Sequence, residues 1–225
     1  MALIVILFLF ICSYFIYTKI QDKKLLETVT TSRRGTKTER DLTLKLLKSG
    51  IPSQAIFHDL YLEKYTGNYS QIDLVAITQV GIIVFEIKRY SGWIFGKGYQ
   101  PQWTQVLAYG KQKYQFYNPV MQNNGHVSDL RKKLNQEDIP FFSVIVFYGD
   151  CVLRDVSAIP NTTILTKSNA ALNVVKDIIK LNDTVEFRNY AKIIAVLDEA
   201  VRNGESPDIK LQHSENIRTL LNMRT

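Results

Sequence analysis

Cysteine is nearly absent from this chain: of 225 residues only Cys12 and Cys151 are cysteine, and Cys12 lies in an apolar N-terminal run. That excludes a disulfide framework and a Cys/His zinc module. Histidine is as sparse. His58, His126 and His213 are scattered, which argues against a histidine-rich metal centre or a Ser-His-Asp triad. There is no P-loop and no GxGxxG fingerprint, so no nucleotide cofactor is implied. Internal repeats and low-complexity tracts are missing too. Acids are outnumbered, 21 against 28 Lys and Arg, for a formal net charge of +7. A basic domain suits a polyanionic partner, nucleic acid or a lipid surface, without choosing between them.

What is present begins with an apolar run over residues 2–17. As a helix it spans about 24 Å, a little less than a ~30 Å hydrocarbon core, and Tyr14 and Tyr17 extend the fit at the interface. It has no positively charged n-region and no small-residue cleavage site, so it reads as an anchor rather than a cleaved signal. Lys19, Lys23, Lys24, Arg33 and Arg34 follow it. The positive-inside rule then puts the N-terminus outside and the rest in the cytoplasm, a single-pass membrane protein. Residues 1–18 are the expected transmembrane anchor, and residues 19–34 a basic juxtamembrane linker able to touch anionic headgroups.

The chemistry concentrates in residues 70–88, two β-branched apolar runs broken near Gln79-Val80-Gly81 and interrupted by Asp73, Glu86 and Lys88. Charges in strands this apolar are costly unless paired. A hairpin folded about Gln79-Val80 pairs Thr78 with Gly81 and sets Asp73 opposite Glu86, with Glu86 and Lys88 on one face. Directly opposed residues have Cβ atoms about 4.5–5.5 Å apart. Two carboxylates that close call for a cation, and hard oxygen ligands with room for water describe a Mg²⁺ site.

Around this hairpin, Thr36-Lys37-Thr38-Glu39 is a capping box that opens a helix running to Gly50. Glu39 lies on its core-facing stripe with Leu42 and Leu46. It is either the cap or a third acid aimed at the pair. Residues 55–62 read as a strand, and residues 90–103 as a short hairpin or loop. The aromatics there, with Lys97 nearby, either stack on bases or form a satellite core. Asn118-Pro119 opens another helix, on which Gln122 and His126 sit one turn apart, His126 on a solvated face. Residues 141–148 read as a buried central strand, 162–166 as a shorter one. Ser168 caps a helix to about residue 181. Asp183-Thr184-Val185-Glu186 is a second capping box, and residues 214–224 either form a terminal helix or fray. This order gives an α/β sandwich around a mixed sheet.

A helix-borne Glu, then Asp, then Glu-x-Lys on consecutive strands resembles the PD-(D/E)xK nuclease superfamily. The surroundings resemble its NERD (nuclease-related domain) family: Gly35-Thr36-Lys37-Thr38-Glu39, Gln71-Ile72-Asp73-Leu74-Val75, the run from Gly81 to Lys88, Gly92, Trp103 and Asn118-Pro119-Val120-Met121-Gln122-Asn123. Ile72 stands where the superfamily name has Pro. The resemblance covers residues 35–150, leaving 151–225 to complete the sheet and add a helical appendage. It implies a restriction-endonuclease-like fold, a role in DNA processing, and Mg²⁺ or Mn²⁺ held by Asp73, Glu86 and the Ile87 backbone carbonyl. Lys88 would then orient water or stabilise charge on phosphate, and Glu39 and Gln122 match outer catalytic positions.

The expected activity is metal-dependent hydrolysis of nucleic acid, DNA favoured over RNA. Lys97, Lys111, Lys113 and Lys132 supply sequence-independent phosphate contacts. The rival is a non-catalytic, membrane-tethered nucleic-acid-binding or scaffold module of the same fold.

Overall fold

In the computed structural model, which describes residues 1–135 and 138–222, the apolar segment after Gly81 becomes an inner strand of the larger of two sheets. The order is α1 (Ala2–Leu26), α2 (Lys37–Lys48), β1 (Ile56–Glu63), β2 (Tyr69–Thr78), β3 (Gly81–Arg89), β4 (Trp93–Lys97), β5 (Gln102–Leu107), β6 (Gln112–Tyr117), α3 (Pro119–Leu134), β7 (Phe141–Tyr148), β8 (Val152–Ser157), β9 (Thr163–Lys167), α4 (Ala171–Leu181), α5 (Tyr190–Asn203) and α6 (Pro207–Asn222). The larger sheet has the order β1-β2-β3-β7-β9. Its hairpin strands pair antiparallel, while β3-β7 and β7-β9 are parallel. Parallel neighbours require both faces to be covered. One face meets Leu42 and Leu46 of α2 and Val175 and Ile178 of α4. The other meets Leu130 and Leu134 of α3 and Ile193 and Leu197 of α5. The result is the α/β sandwich around a mixed sheet that the sequence implies.

Local chemistry explains the helices next to the site. Thr36 caps α2, its Oγ1 accepting from the Glu39 N–H at 3.3 Å. Leu42 and Leu46, one turn apart, are wholly buried, each contributing about 1.5–3 kcal/mol. Asn118 caps α3 and donates through Nδ2 to the carbonyls of Lys97, Gly98 and Gln100. One buried amide thereby ties the start of α3 to the β4–β5 connection.

The smaller sheet, order β6-β5-β4-β8, was legible only as a hairpin or loop. Its inner face packs Ile94 and Trp103 against Ile145 and Phe147 of β7 and Val120 of α3. Gly96 lies so close beneath the Trp103 ring that a Cβ there would meet it at 2.3 Å.

Four other expectations change. The stretch read as a linker, 19–34, is built into the fold. Residues 19–26 continue α1, Leu25 and Val29 pack on the main core, and Asp22 pairs with Lys48 at 2.6 Å. Thr30 and Arg34 are buried, because each finds a polar partner inside the domain. The second capping box opens no helix: the Val185 N–H donates instead to the Gln79 carbonyl at 2.8 Å, and α5 begins only at Tyr190. Ser168 caps nothing, since its N–H is taken by the Phe147 carbonyl and α4 starts at Ala171. The terminal helix starts earlier than expected, at Pro207, and residues 223–225 lie outside the described ones.

Candidate active site

The register of the central hairpin is the one that sums Thr78 with Gly81 and Leu74 with Phe85. Asp73 and Glu86 are the next pair on that count, but the ladder stops one step short of them. Beyond it β2 stays with β1 as far as Tyr69, and β3 stays with β7 as far as Arg89. The two strands part and leave a fork. Side-chain alternation slips at the same level: Leu74 faces α2 and α4, while Ile72 and Val75 both face α3 and α5. On β1 the backbone of Asp59 turns to φ 55°, and β1–β2 pairing skips that position. The slip turns Asp73 into the fork, where its Oδ2 accepts from the Ile87 N–H at 2.7 Å. The N–H and C=O of one strand residue point to the same side, so the Ile87 carbonyl faces the fork as well.

Glu86 keeps to the α3 side of the sheet and is 1% exposed. Its Oε1 meets Lys88 Nζ at 2.5 Å, as expected for strand neighbours two apart. Lys88 Nζ also donates to Gln122 Oε1 at 3.0 Å, from the first turns of α3. One turn further, His126 Nε2 lies 3.4 Å from Glu86 Oε2, and its Nδ1 meets the buried Ser70 hydroxyl at 3.0 Å. His126 is therefore buried against the site, not on a solvated face: α3 packs that stripe, with Leu130 and Leu134, onto the sheet.

Glu39 reaches toward the site from the opposite face. Its Oε1 accepts from the Thr36 hydroxyl at 2.6 Å, and its Oε2 lies 3.4 Å from His58 Nε2. His58 Nδ1 in turn meets Thr30 Oγ1 at 2.8 Å. Glu39 is thus the cap, and its charge is felt at Asp73 without its oxygens joining the pair. Each glutamate is backed by an imidazole and a buried hydroxyl.

The acids ionise differently. Burial, then the negative charges of Glu86 and Glu39, push the Asp73 carboxyl well above the usual range. Burial acts the same way on Glu86, but His126 and Lys88 outweigh it and hold Glu86 below its ordinary value. Lys88 is raised: burial opposes its charge, and Glu86 more than compensates. A carboxyl pushed up beside one held down marks a place where added positive charge is welcome.

Among the described residues no three His, Cys, Asp or Glu side chains converge on one point as a closed metal cage. The donors at the fork are the two carboxylates and the Ile87 carbonyl. Glu86 Oε2 is buried without a hydrogen-bond partner, its 3.4 Å contact to His126 being longer than a well-formed bond. Few carboxylates, a carbonyl and water suit Mg²⁺ or Mn²⁺ and would not suit zinc.

The four lysines expected to touch phosphate do not form one group. Lys97 and Lys113 stand on the outer face of the smaller sheet, and Lys111 is exposed in the β5–β6 turn. Lys132 is near the far end of α3, about 15 Å along the helix from Gln122. Sequence reasoning missed His58, His126, Ser70 and Thr30. The spacing of Gln122, His126, Leu130 and Leu134 at every fourth residue carried the signal for His126. Nothing in the sequence linked His58 to Glu39.

Comparison with known proteins places this geometry. The family model described as nuclease-related domain, NERD, matches residues 34–148, just over half the chain. An uncharacterized protein of Bacillus anthracis is 30% identical over 124 residues, which are 55% of this chain and 57% of that protein. The chain therefore spans little more than half the length of that relative. No solved structure matches.

Proposed function

This chain belongs to the nuclease-related domain family, and from that premise we propose that it is a nuclease hydrolysing phosphodiester bonds, DNA before RNA, with Mg²⁺ or Mn²⁺ held by Asp73, Glu86 and the Ile87 carbonyl. The observation that carries the proposal is the Asp73 carboxylate turned into the fork beside the Glu86–Lys88 pair. When bound, the ion supplies Lewis-acid polarisation of a phosphoryl oxygen and acidifies a water.

The chain's own residues do the rest. Ile87 N–H fixes the Asp73 carboxylate, and Lys88 holds that of Glu86, with His126 beside it. Lys88 is the cation of the site, held between Glu86 and Gln122. Gln122 holds it at the mouth of the fork, where its charge meets a scissile phosphate. A fixed ammonium in a water-poor site stabilises developing negative charge by several kcal/mol, on the order of the ~3–4 kcal/mol of one oxyanion donor. Glu39 sets the field at Asp73 from the other face.

α1 completes the reading as a membrane anchor. It is the one described helix long and apolar enough to cross a membrane, and its large apolar side chains from Ile4 to Ile20 are exposed. Lys23 and Lys24 in its last turn favour a cytoplasmic domain by the positive-inside rule.

The test is cleavage of single- and double-stranded DNA by the full chain in detergent, with Mg²⁺, Mn²⁺ or EDTA. Product forms only with the divalent ion, and Asp73→Asn loses it while keeping the wild-type circular dichroism spectrum. Equal cleavage by Asp73→Asn overturns the proposal.

A further inference from the structure

The smaller sheet has an outer face that packs against no described element. Alternation assigns it: Ile94, Trp103, Phe116, Leu153 and Val156 point inward to the core, so Trp93, Phe95 and Lys97 on β4 point outward, as does Lys113 on β6. Trp93 and Phe95 are half-buried, and Lys97 and Lys113 are exposed. The β4–β8 pairing shifts between Ile94 and Phe95, and the extra residue is Arg154. Its guanidinium lies over the Trp93 ring, 5.6 Å from the centroid. Asp155, paired with Phe95, is the single acid beside these three cations.

We infer that this face is a stacking platform for single-stranded nucleic acid, which feeds the strand to the fork. The inference rests on the nuclease reading only for the fate of the strand, not for its binding. Rings flanked by Lys and Arg match the bases and phosphates of a single strand: stacking is sequence-tolerant, and cations track the backbone. Trp93 and Phe95, two residues apart on one strand, are about 6.6 Å apart along it. That is about twice the 3.4 Å rise per nucleotide of a duplex strand, so the rings suit splayed bases. A duplex fits poorly. Four strands at ~4.8 Å spacing make a face about 14 Å across before side chains, against a major groove of about 12 Å that admits a two-stranded ribbon. A membrane also fits poorly, since Trp93 and Phe95 are half-buried and their face also carries Lys97, Thr104, Lys113 and Gln115.

The platform is joined to the site at both ends. β4 begins five residues after Lys88, and the Lys97 carbonyl accepts from Asn118, which caps the helix carrying Gln122. A strand laid along β4 is therefore held in the same rigid frame as Lys88.

The experiment is a fluorescence titration of the full chain in detergent and EDTA with oligo-dT, oligo-U, a DNA duplex of equal length, and anionic vesicles. Single strands quench Trp93, whereas the buried Trp103 is insensitive and serves as internal reference. Trp93→Ala weakens single-strand affinity roughly 5- to 100-fold, Trp93→Phe restores most of it, and Lys97→Glu with Lys113→Glu weakens it further and flattens its salt dependence. Unchanged single-strand affinity in both Trp93→Ala and the lysine double variant overturns the platform, as does tighter binding of duplex or vesicles through the same residues. The two proposals fail separately. Trp93-dependent binding without metal-dependent product leaves the platform and sinks the nuclease. Asp73-dependent cleavage indifferent to Trp93 and the two lysines does the reverse.

Discussion

Glu39 touches no residue of the Glu86–Lys88 pair, yet its charge helps push the Asp73 carboxyl above the usual carboxylate range. Its own state is set by opposed effects. Burial would raise it, but His58 and Thr36 outweigh burial and hold it below 4.5. The folded state then binds fewer protons than the unfolded chain, so Glu39 contributes stability in full above the ordinary glutamate range. That contribution is lost as pH falls from about 4.5 through the folded value. Urea midpoints of Glu39→Gln are expected to lie below wild type at pH 7, with the gap closing in acid. A gap that is constant with pH would show that the carboxylate is not held this way. At this scale the sequence was informative where partners were neighbours. Glu86 and Lys88 meet because strands repeat every second residue, and Thr36 and Glu39 because helix caps span three. It was silent on Glu39–His58 and Glu86–His126, contacts across elements 19 and 40 positions apart in the chain.

At the scale of elements, the start of α3 depends on Asn118. It is fully buried, caps the helix through the Val120 N–H, and satisfies three carbonyls of the β4–β5 connection. Asn118→Ala removes the cap and takes the donor from the Gly98 and Gln100 carbonyls, while that of Lys97 keeps the Trp103 indole, a cost of about 2–4 kcal/mol. Chemical denaturation should read that loss, and an effect under about 0.5 kcal/mol, the size of an ordinary surface change, would show the amide to be dispensable. The Asn-Pro pair made this helix legible, as the apolar run of residues 141–148 did for β7. The smaller sheet was not legible. β6 reads Gln-Lys-Tyr-Gln-Phe-Tyr, with one inward ring that matters, and its pairing with β5 is set by packing rather than by pattern. The capping box at Asp183 misled because a backbone bond to the β2–β3 turn holds that segment extended. The fork itself was half visible. Counting gave the register, but not the end of the ladder before Asp73 or the turn of its side chain.

On the scale of the whole molecule, α1 runs from the apolar N-terminus into the domain without a free joint. Asp22–Lys48, Leu25 and Val29 fasten its end to α2 and the main core. With α1 as the proposed anchor, the domain would be held in a fixed attitude to the membrane plane. Removing residues 1–18 is expected to move the protein from the membrane fraction to the soluble fraction with the domain's unfolding midpoint little changed, since the fastening residues remain. Retention in the membrane after that deletion would show that another surface holds it there.

All of these readings meet at the fork, where the charge of Glu86 helps raise the Asp73 carboxyl above its ordinary value. Calorimetric titration of Mn²⁺ into the full chain in detergent tests this most directly. One site is expected, releasing protons as Asp73 ionises, and lost in Asp73→Asn. Undiminished Mn²⁺ binding by Asp73→Asn, or no binding by the wild-type chain, would contradict the account.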